Sequence, residues 1–144
     1  MLRALALVAA FGGCGGDTEV VLSLSAGPSC DAEAFSEVSI LAVDVYGIGP
    51  GGELCIQAKR CVFDVQEALG AEDVEAELAL ADPPLIDVDR DDARWIAVVG
   101  HRRSCWGAED QAFCGLADFA DASGGVLDIQ LQCGDCGEDL PFCP

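Results

Sequence analysis

Nine cysteines are spread over these 144 residues, and nine cannot pair off. Cross-links between segments fix which parts of a small chain must meet, and they add stability that a modest core lacks. The cysteine left over needs a different chemistry. Cys14 is set apart by its surroundings. It lies in AAFGGCGGD, residues 9–17, between glycines and directly after an apolar run.

Met1-Leu2-Arg3 carries one positive charge and no acid, Ala4 to Phe11 is continuously apolar, and Gly12 and Gly13 are small. That order describes an export signal. Eight apolar residues are too few to cross a hydrocarbon core of ~30 Å, which takes about 20. The stretch Phe11-Gly12-Gly13-Cys14 resembles the lipobox of bacterial lipoproteins, usually Leu-Ala/Ser-Gly/Ala-Cys. Gly13 and Cys14 match it, and Phe11 and Gly12 are less usual. The resemblance covers residues 1–17. It implies a signal peptide over 1–13, cleavage before Cys14, diacylglycerol on the Cys14 thiol, and a tether over 14–18. The implied partner is a lipid bilayer and the implied place a bacterial cell envelope. In that family an aspartate after the cysteine signals inner-membrane retention, so Gly15 points to the outer membrane. Two acyl chains anchor stably where one is marginal. The alternative is an ordinary signal peptide with Cys14 as a ninth structural cysteine, which leaves an unpaired thiol in an oxidising compartment.

Setting Cys14 aside leaves Cys30, Cys55, Cys61, Cys105, Cys114, Cys133, Cys136 and Cys143. An even number after an export signal reads as four disulfides. Spacing favours local pairs: Cys105 with Cys114 around a polar loop, Cys55 with Cys61, and Cys136 with Cys143. Cys30 is then left for Cys133. A zinc site on Cys133-Gly-Asp-Cys136 needs a second half-site of shorter spacing than Cys105 to Cys114 offers, and it needs reduced thiols. A redox CxxC needs a helix after it, which CGEDLPFCP does not suggest.

Residues 19–144 form one domain, with no repeat and no internal linker. Strands are expected at residues 18–26, 38–46, 54–65, 85–88, 94–102, 112–119 and 126–133. In the last, Leu127, Ile129, Leu131 and Cys133 alternate with Asp128, Gln130 and Gln132, the period of a half-buried strand. Turn signals AGPS, GIGPGG and DASGG separate several of them. Residues 72–81 instead place Val74, Leu78 and Ala81 at helical spacing, with Asp73 as a cap and Asp82-Pro83-Pro84 as a stop. The counts suggest a mainly β, disulfide-stapled antiparallel β-sandwich with one short helix. Ig-like, transthyretin-like and jelly-roll arrangements all fit. The domain resembles uncharacterised β-sandwich lipoproteins of the envelope.

A net charge of −19 opposes nucleic acid and anionic head groups. The bases Lys59-Arg60 and His101-Arg102-Arg103 are expected to balance nearby carboxylates. Asp87, Asp89 and Asp91 begin like a calcium loop, but Asp92 and Val98 stand where an EF-hand wants Gly and Glu. Calcium is therefore the one cofactor the sequence raises, against a solvated turn. No serine sits in a GxSxG elbow, and the single histidine, His101, is expected at a strand end or the surface. Trp95 and Trp106 read as packing residues, with Trp106 also placed to meet a ligand. These features favour a lipid-anchored envelope module that binds a protein or glycan, or serves a structural role. An envelope carboxylate-based hydrolase and a calcium-binding surface module are the alternatives.

Overall fold

The computed structural model describes residues 8–9, 20–80, 93–134, 136–137 and 139–144. Its strands are β1 (Val8–Ala9), β2 (Val20–Ala26), β3 (Ile40–Ile48), β4 (Leu54–Val62), β5 (Ala93–His101), β6 (Gln111–Asp118) and β7 (Val126–Cys133). Two helices interrupt them, α1 (Ala32–Ser36) and α2 (Ala71–Leu80). The protein is mainly β and disulfide-stapled, as the patterning suggests. The strands join one sheet in the order β1-β2-β7-β6-β5-β3-β4.

That sheet corrects the antiparallel expectation. β2 runs parallel to β7, from Val21 opposite Val126 to Ala26 opposite Leu131, while the other pairs are antiparallel. Among the described residues both layers of strands expected for a sandwich are found in this single sheet. The reason lies after β2. A tight hairpin joins β3 to β4, where Gly49 N–H donates to the Glu53 carbonyl at 2.7 Å and Gly52 takes a positive φ of 83°. β2 has no such turn to fold it back. Gly27 N–H instead donates to Leu131 C=O at 2.7 Å, and Cys30 bonds to Cys133. The ends of β2 and β7 are thereby held side by side.

The helices cover one face. α1 escapes the sequence patterns because it has five residues and buries one large side chain, Phe35. Its cap is conventional: Asp31 Oδ1 accepts from Ala34 N–H at 2.9 Å. α2 starts one residue before the expected span and buries Ala71, Val74 and Leu78. Asp73 lies in its first turn and accepts from Leu69 N–H at 2.8 Å. Leu41, Val43 and Val45 of β3, Ile96 and Val98 of β5, and Leu127, Ile129 and Leu131 of β7 meet these helices in the main core. Phe35 and Phe113 rings stack at 5.0 Å and 40° within it. Phe113 lies across Gly100, where a Cβ would come within 2.5 Å of the ring, so β5 needs glycine there.

Both edges of the sheet are occupied. On one side β1 pairs with Val20 and Val21, and Glu75 of α2 accepts from Leu24 N–H. On the other, Ile56 of β4 donates to Pro141 C=O at 2.8 Å and accepts from Cys143 N–H at 2.9 Å. Free strand edges invite pairing with other chains, and covering them removes that route; cleavage before Cys14 would take β1 away and leave Glu75 as the cover on the β2 side. Among the described residues no helix is long and apolar enough to cross a membrane.

Candidate functional site

The face of the sheet away from the helices carries a second, smaller cluster of Ile40, Ala42, Ala97, Val99, Cys105 and Cys114. Three disulfides draw chain over it. Cys61–Cys105 brings the loop after β5 onto β4, and Cys114–Cys136 and Cys55–Cys143 carry the C-terminal segment from β6 to β4. Their Cα–Cα distances of 6.3, 6.1 and 5.0 Å suit disulfide geometry. The local pairs Cys55–Cys61, Cys105–Cys114 and Cys136–Cys143 are not formed. Cys55 and Cys61 both lie on β4, and six residues of strand separate Cα atoms by about 20 Å. A sequence spacing that suits a loop is unbridgeable once the chain is extended.

Gln111, buried at the start of β6, fixes the segment through its amide. Oε1 accepts from Cys136 N–H at 2.8 Å, and Nε2 donates to Gly137 C=O at 3.4 Å. Asp139 Oδ2 accepts from Gly107 N–H at 2.6 Å, joining the segment to the loop. Asp110 organises that loop, accepting at Oδ2 from Arg103 N–H at 2.8 Å and Ser104 N–H at 2.6 Å. Burial opposes its charge, but these two donors prevail and hold the carboxyl below its ordinary range. Between sheet and segment lies a cavity of about 720 Å³, its lining including Tyr46, Trp95, Gln130, Gln132, Asp139 and Asp44.

A buried charge pair stands on this face. Asp44 of β3 and Lys59 of β4 are direct cross-strand partners, and each side chain is only 3% exposed. Lys59 Nζ lies 3.1 Å from Asp44 Oδ1 and 3.2 Å from Oδ2. Oδ2 accepts from Lys59 and, at 3.4 Å, from the Tyr46 hydroxyl. Oδ1 has no aligned donor despite its short distance to the ammonium. On its other side Lys59 faces the Trp106 ring, 4.2 Å from Nζ to the centroid. The Trp106 ring meets Phe142 edge-on at 5.7 Å. Desolvation raises the Asp44 pKa against the pull of Lys59. Desolvation and Asp44 push Tyr46 up, so its phenol stays protonated and donates. Removing one partner of a buried pair typically costs 3–5 kcal/mol.

His101 ends β5, as expected of a strand-end residue, but it is 1% exposed and its Nδ1 has no partner. Burial, then the Lys59 charge, lowers its pKa, so the native state holds it neutral. Below about pH 6.5 the unfolded chain therefore takes up a proton that the native state refuses. Stability contributed by neutral His101 is complete above that pH and drains away as the pH falls towards the native pKa. The urea-derived stability advantage of the parent over His101→Gln is expected to shrink between pH 7.5 and 5.5. The limit is ~1.4 kcal/mol per pH unit for one proton. A difference that stays constant over this range would contradict a neutral buried imidazole.

The expectation that bases balance nearby acids holds for Lys59 and for Arg102, whose Nε lies 2.8 Å from Glu37 Oε2. Trp106 is 46% exposed, and Trp95 lines the cavity. Cys14, Asp87, Asp89 and Asp91 lie outside the described residues. Among the described residues no group of three His, Cys, Asp or Glu side chains is arranged for a metal. The sequence pointed to neither the cavity nor the Asp44–Lys59 pair. Two signals were present: Asp44 interrupts the apolar run LAVDVY, and Lys59 is the only lysine in the chain.

No protein-family model, curated protein sequence or solved structure matches this chain.

Proposed function

We propose that this protein is a lipid-anchored binding module of a bacterial envelope, on the outer membrane, whose ligand occupies the cavity on the open face of the sheet. The observation that carries the reading is the construction of that cavity. The Cys114–Cys136 disulfide lies in its wall, two further disulfides tie loop and tail to the same face, and its lining mixes the rings of Tyr46 and Trp95 with the amides of Gln130 and Gln132. Aromatic faces and amides on a preformed frame suit a ligand with both apolar and hydroxyl or amide groups, such as a glycan or an extended peptide segment. The leader and lipobox-like stretch supply the anchor.

A hydrolase reading draws on Asp44 and Asp139, which both line the cavity. It is the weaker one. A general acid or base must reach the reacting atom, and Asp44 is 2% exposed with its carboxyl against Lys59 and Tyr46. The calcium reading rests on Asp87, Asp89 and Asp91 and gains no support from the site.

The test combines anchor and cavity. The parent should incorporate labelled fatty acid and Cys14→Ser should not. In pull-downs from intact envelopes the parent should enrich a component that Gln132→Trp, which fills the cavity from an exposed strand position, fails to retain. Equal labelling of Cys14→Ser would overturn the anchor, and equal capture by Gln132→Trp would overturn the cavity as the binding site.

A further inference from the structure

The Asp44–Lys59 contact has features that an ordinary ion pair does not need. The two residues face each other across adjacent strands and are sealed from water to 3% exposure. The nitrogen is nearly equidistant from both carboxyl oxygens, at 3.1 and 3.2 Å. With both oxygens at that distance the carboxyl carbon lies about 3.5 Å from the nitrogen, at the outer limit of the roughly 3–3.5 Å at which addition begins, and rotation of the carboxyl about its Cβ–Cγ bond turns its face to the amine. Trp106 backs the nitrogen at 4.2 Å and limits its retreat. Tyr46 donates to Oδ2, where negative charge would grow if the carbonyl carbon were attacked. Asp139 lines the same cavity as Asp44, and its charge adds to the burial that favours a protonated Asp44.

We propose that Lys59 and Asp44 condense in the folded protein to an intramolecular isopeptide bond that locks β3 to β4. Burial favours the protonated form of the Asp44 carboxyl, and the reacting form of the pair is a free amine beside that acid, with the acid proton on Oδ1. The Lys59 lone pair adds to Asp44 Cγ and forms the C–N bond. The carbonyl π electrons move to Oδ2, held by the Tyr46 hydroxyl. The proton leaving the nitrogen passes directly to Oδ1, 3.1 Å away. As the carbonyl re-forms, the Cγ–Oδ1 bond breaks and one water leaves. Nothing is oxidised or reduced, and amine plus acid give amide plus water. The product replaces two buried charges with one neutral amide, which removes the desolvation cost of the pair. Direct opposition on paired strands supplies the high effective concentration that an amide in water otherwise lacks.

Peptide mapping tests this on the natively exported full-length protein after reduction and alkylation. Cleavage after glutamate separates residues 38–53, which hold Asp44, from residues 54–67, which hold Lys59. The expected product is a single branched species equal in mass to the two peptides less one water. Lys59 carries the only ε-amine of the chain, so an amine-reactive reagent under denaturing conditions should label no side chain. Two separate peptides of full mass with a labelled Lys59 would overturn the proposal, and so would a water lost while Lys59 remains reactive. Lys59→Arg retains the positive charge and the disulfides but cannot form the amide, so its peptides should run separately at full mass.

Discussion

Replacing Cys30 and Cys133 together by serine is expected to produce the largest stability loss of any disulfide removal in this protein. The bridge closes a sequence separation of 103 residues, against 22 for Cys114–Cys136. In the loop-entropy account these correspond to about 4.7 and about 3.4 kcal/mol. The first also removes the covalent tie between two parallel strands that no hairpin connects, leaving their alignment to the Gly27 N–H bond, to the Ser29 hydroxyl that accepts from the backbone N–H of residue 133 at 3.1 Å, and to the ladder itself. The urea midpoints of the two double-serine variants, with the other three bridges verified, make the comparison. A smaller loss at Cys30–Cys133 than at Cys114–Cys136 would mean that β2 and β7 are already held together in the unfolded chain.

Ile129→Ala should be nearly as damaging. The side chain is fully buried between β6 and the helical layer, 0% exposed, and its Cγ2 would lie 2.5 Å from a Cβ placed on Gly115. Glycine at that point lets β7 approach β6 closely, and Ile129 fills the space. Truncation of a buried isoleucine typically costs 2–5 kcal/mol. Gln130, the next residue, is exposed and faces the cavity, and its change to alanine should stay within about 0.5 kcal/mol. Urea midpoints with disulfides intact measure both. Similar shifts would be incompatible with a one-sided β7.

The contrast between those two neighbours was legible in the sequence, because alternation along β7 reports which face is wet. The same holds for Leu41, Val43 and Val45 on β3. What alternation cannot report is how many layers cover the other face. Ile40, Ala42 and Asp44 are buried too, since the disulfide-tied loop and tail close over β3 from the side away from the helices. Strands covered on both sides lose their polar stripe, and the run reads as core without saying whose. The partner of each cysteine was hidden for a related reason. Pairing depends on strand order, which local spacing does not encode. Cys61 meets Cys105 because the loop beyond β5 reaches over β3 to β4. Asp44 and Lys59 were visible as oddities but not as a pair, since their meeting requires the β3–β4 register, including its irregularity between Val45 and Tyr46. The helix at 71–80 was readable because its period is local. α1, with Phe35 alone as its large anchor, offered no period to read.

The parallel alignment of β2 and β7 also gives the molecule a heading. With residues 1–13 removed by the cleavage proposed above, the chain would enter the sheet at Val20, six residues after Cys14, and six residues extend at most about 20 Å. A lipid on Cys14 would keep the start of β2 within that distance of the bilayer. The start of β7, the end of β6, the start of β5 and the β3–β4 hairpin lie at that same end of the sheet by register. The opposite end, with α1, the Cys30–Cys133 bridge and the loop bearing Trp106, would then stand away from the lipid, outward into the aqueous space. A short tether on the first long strand would thus act as a keel, deciding which end of the protein other molecules meet first.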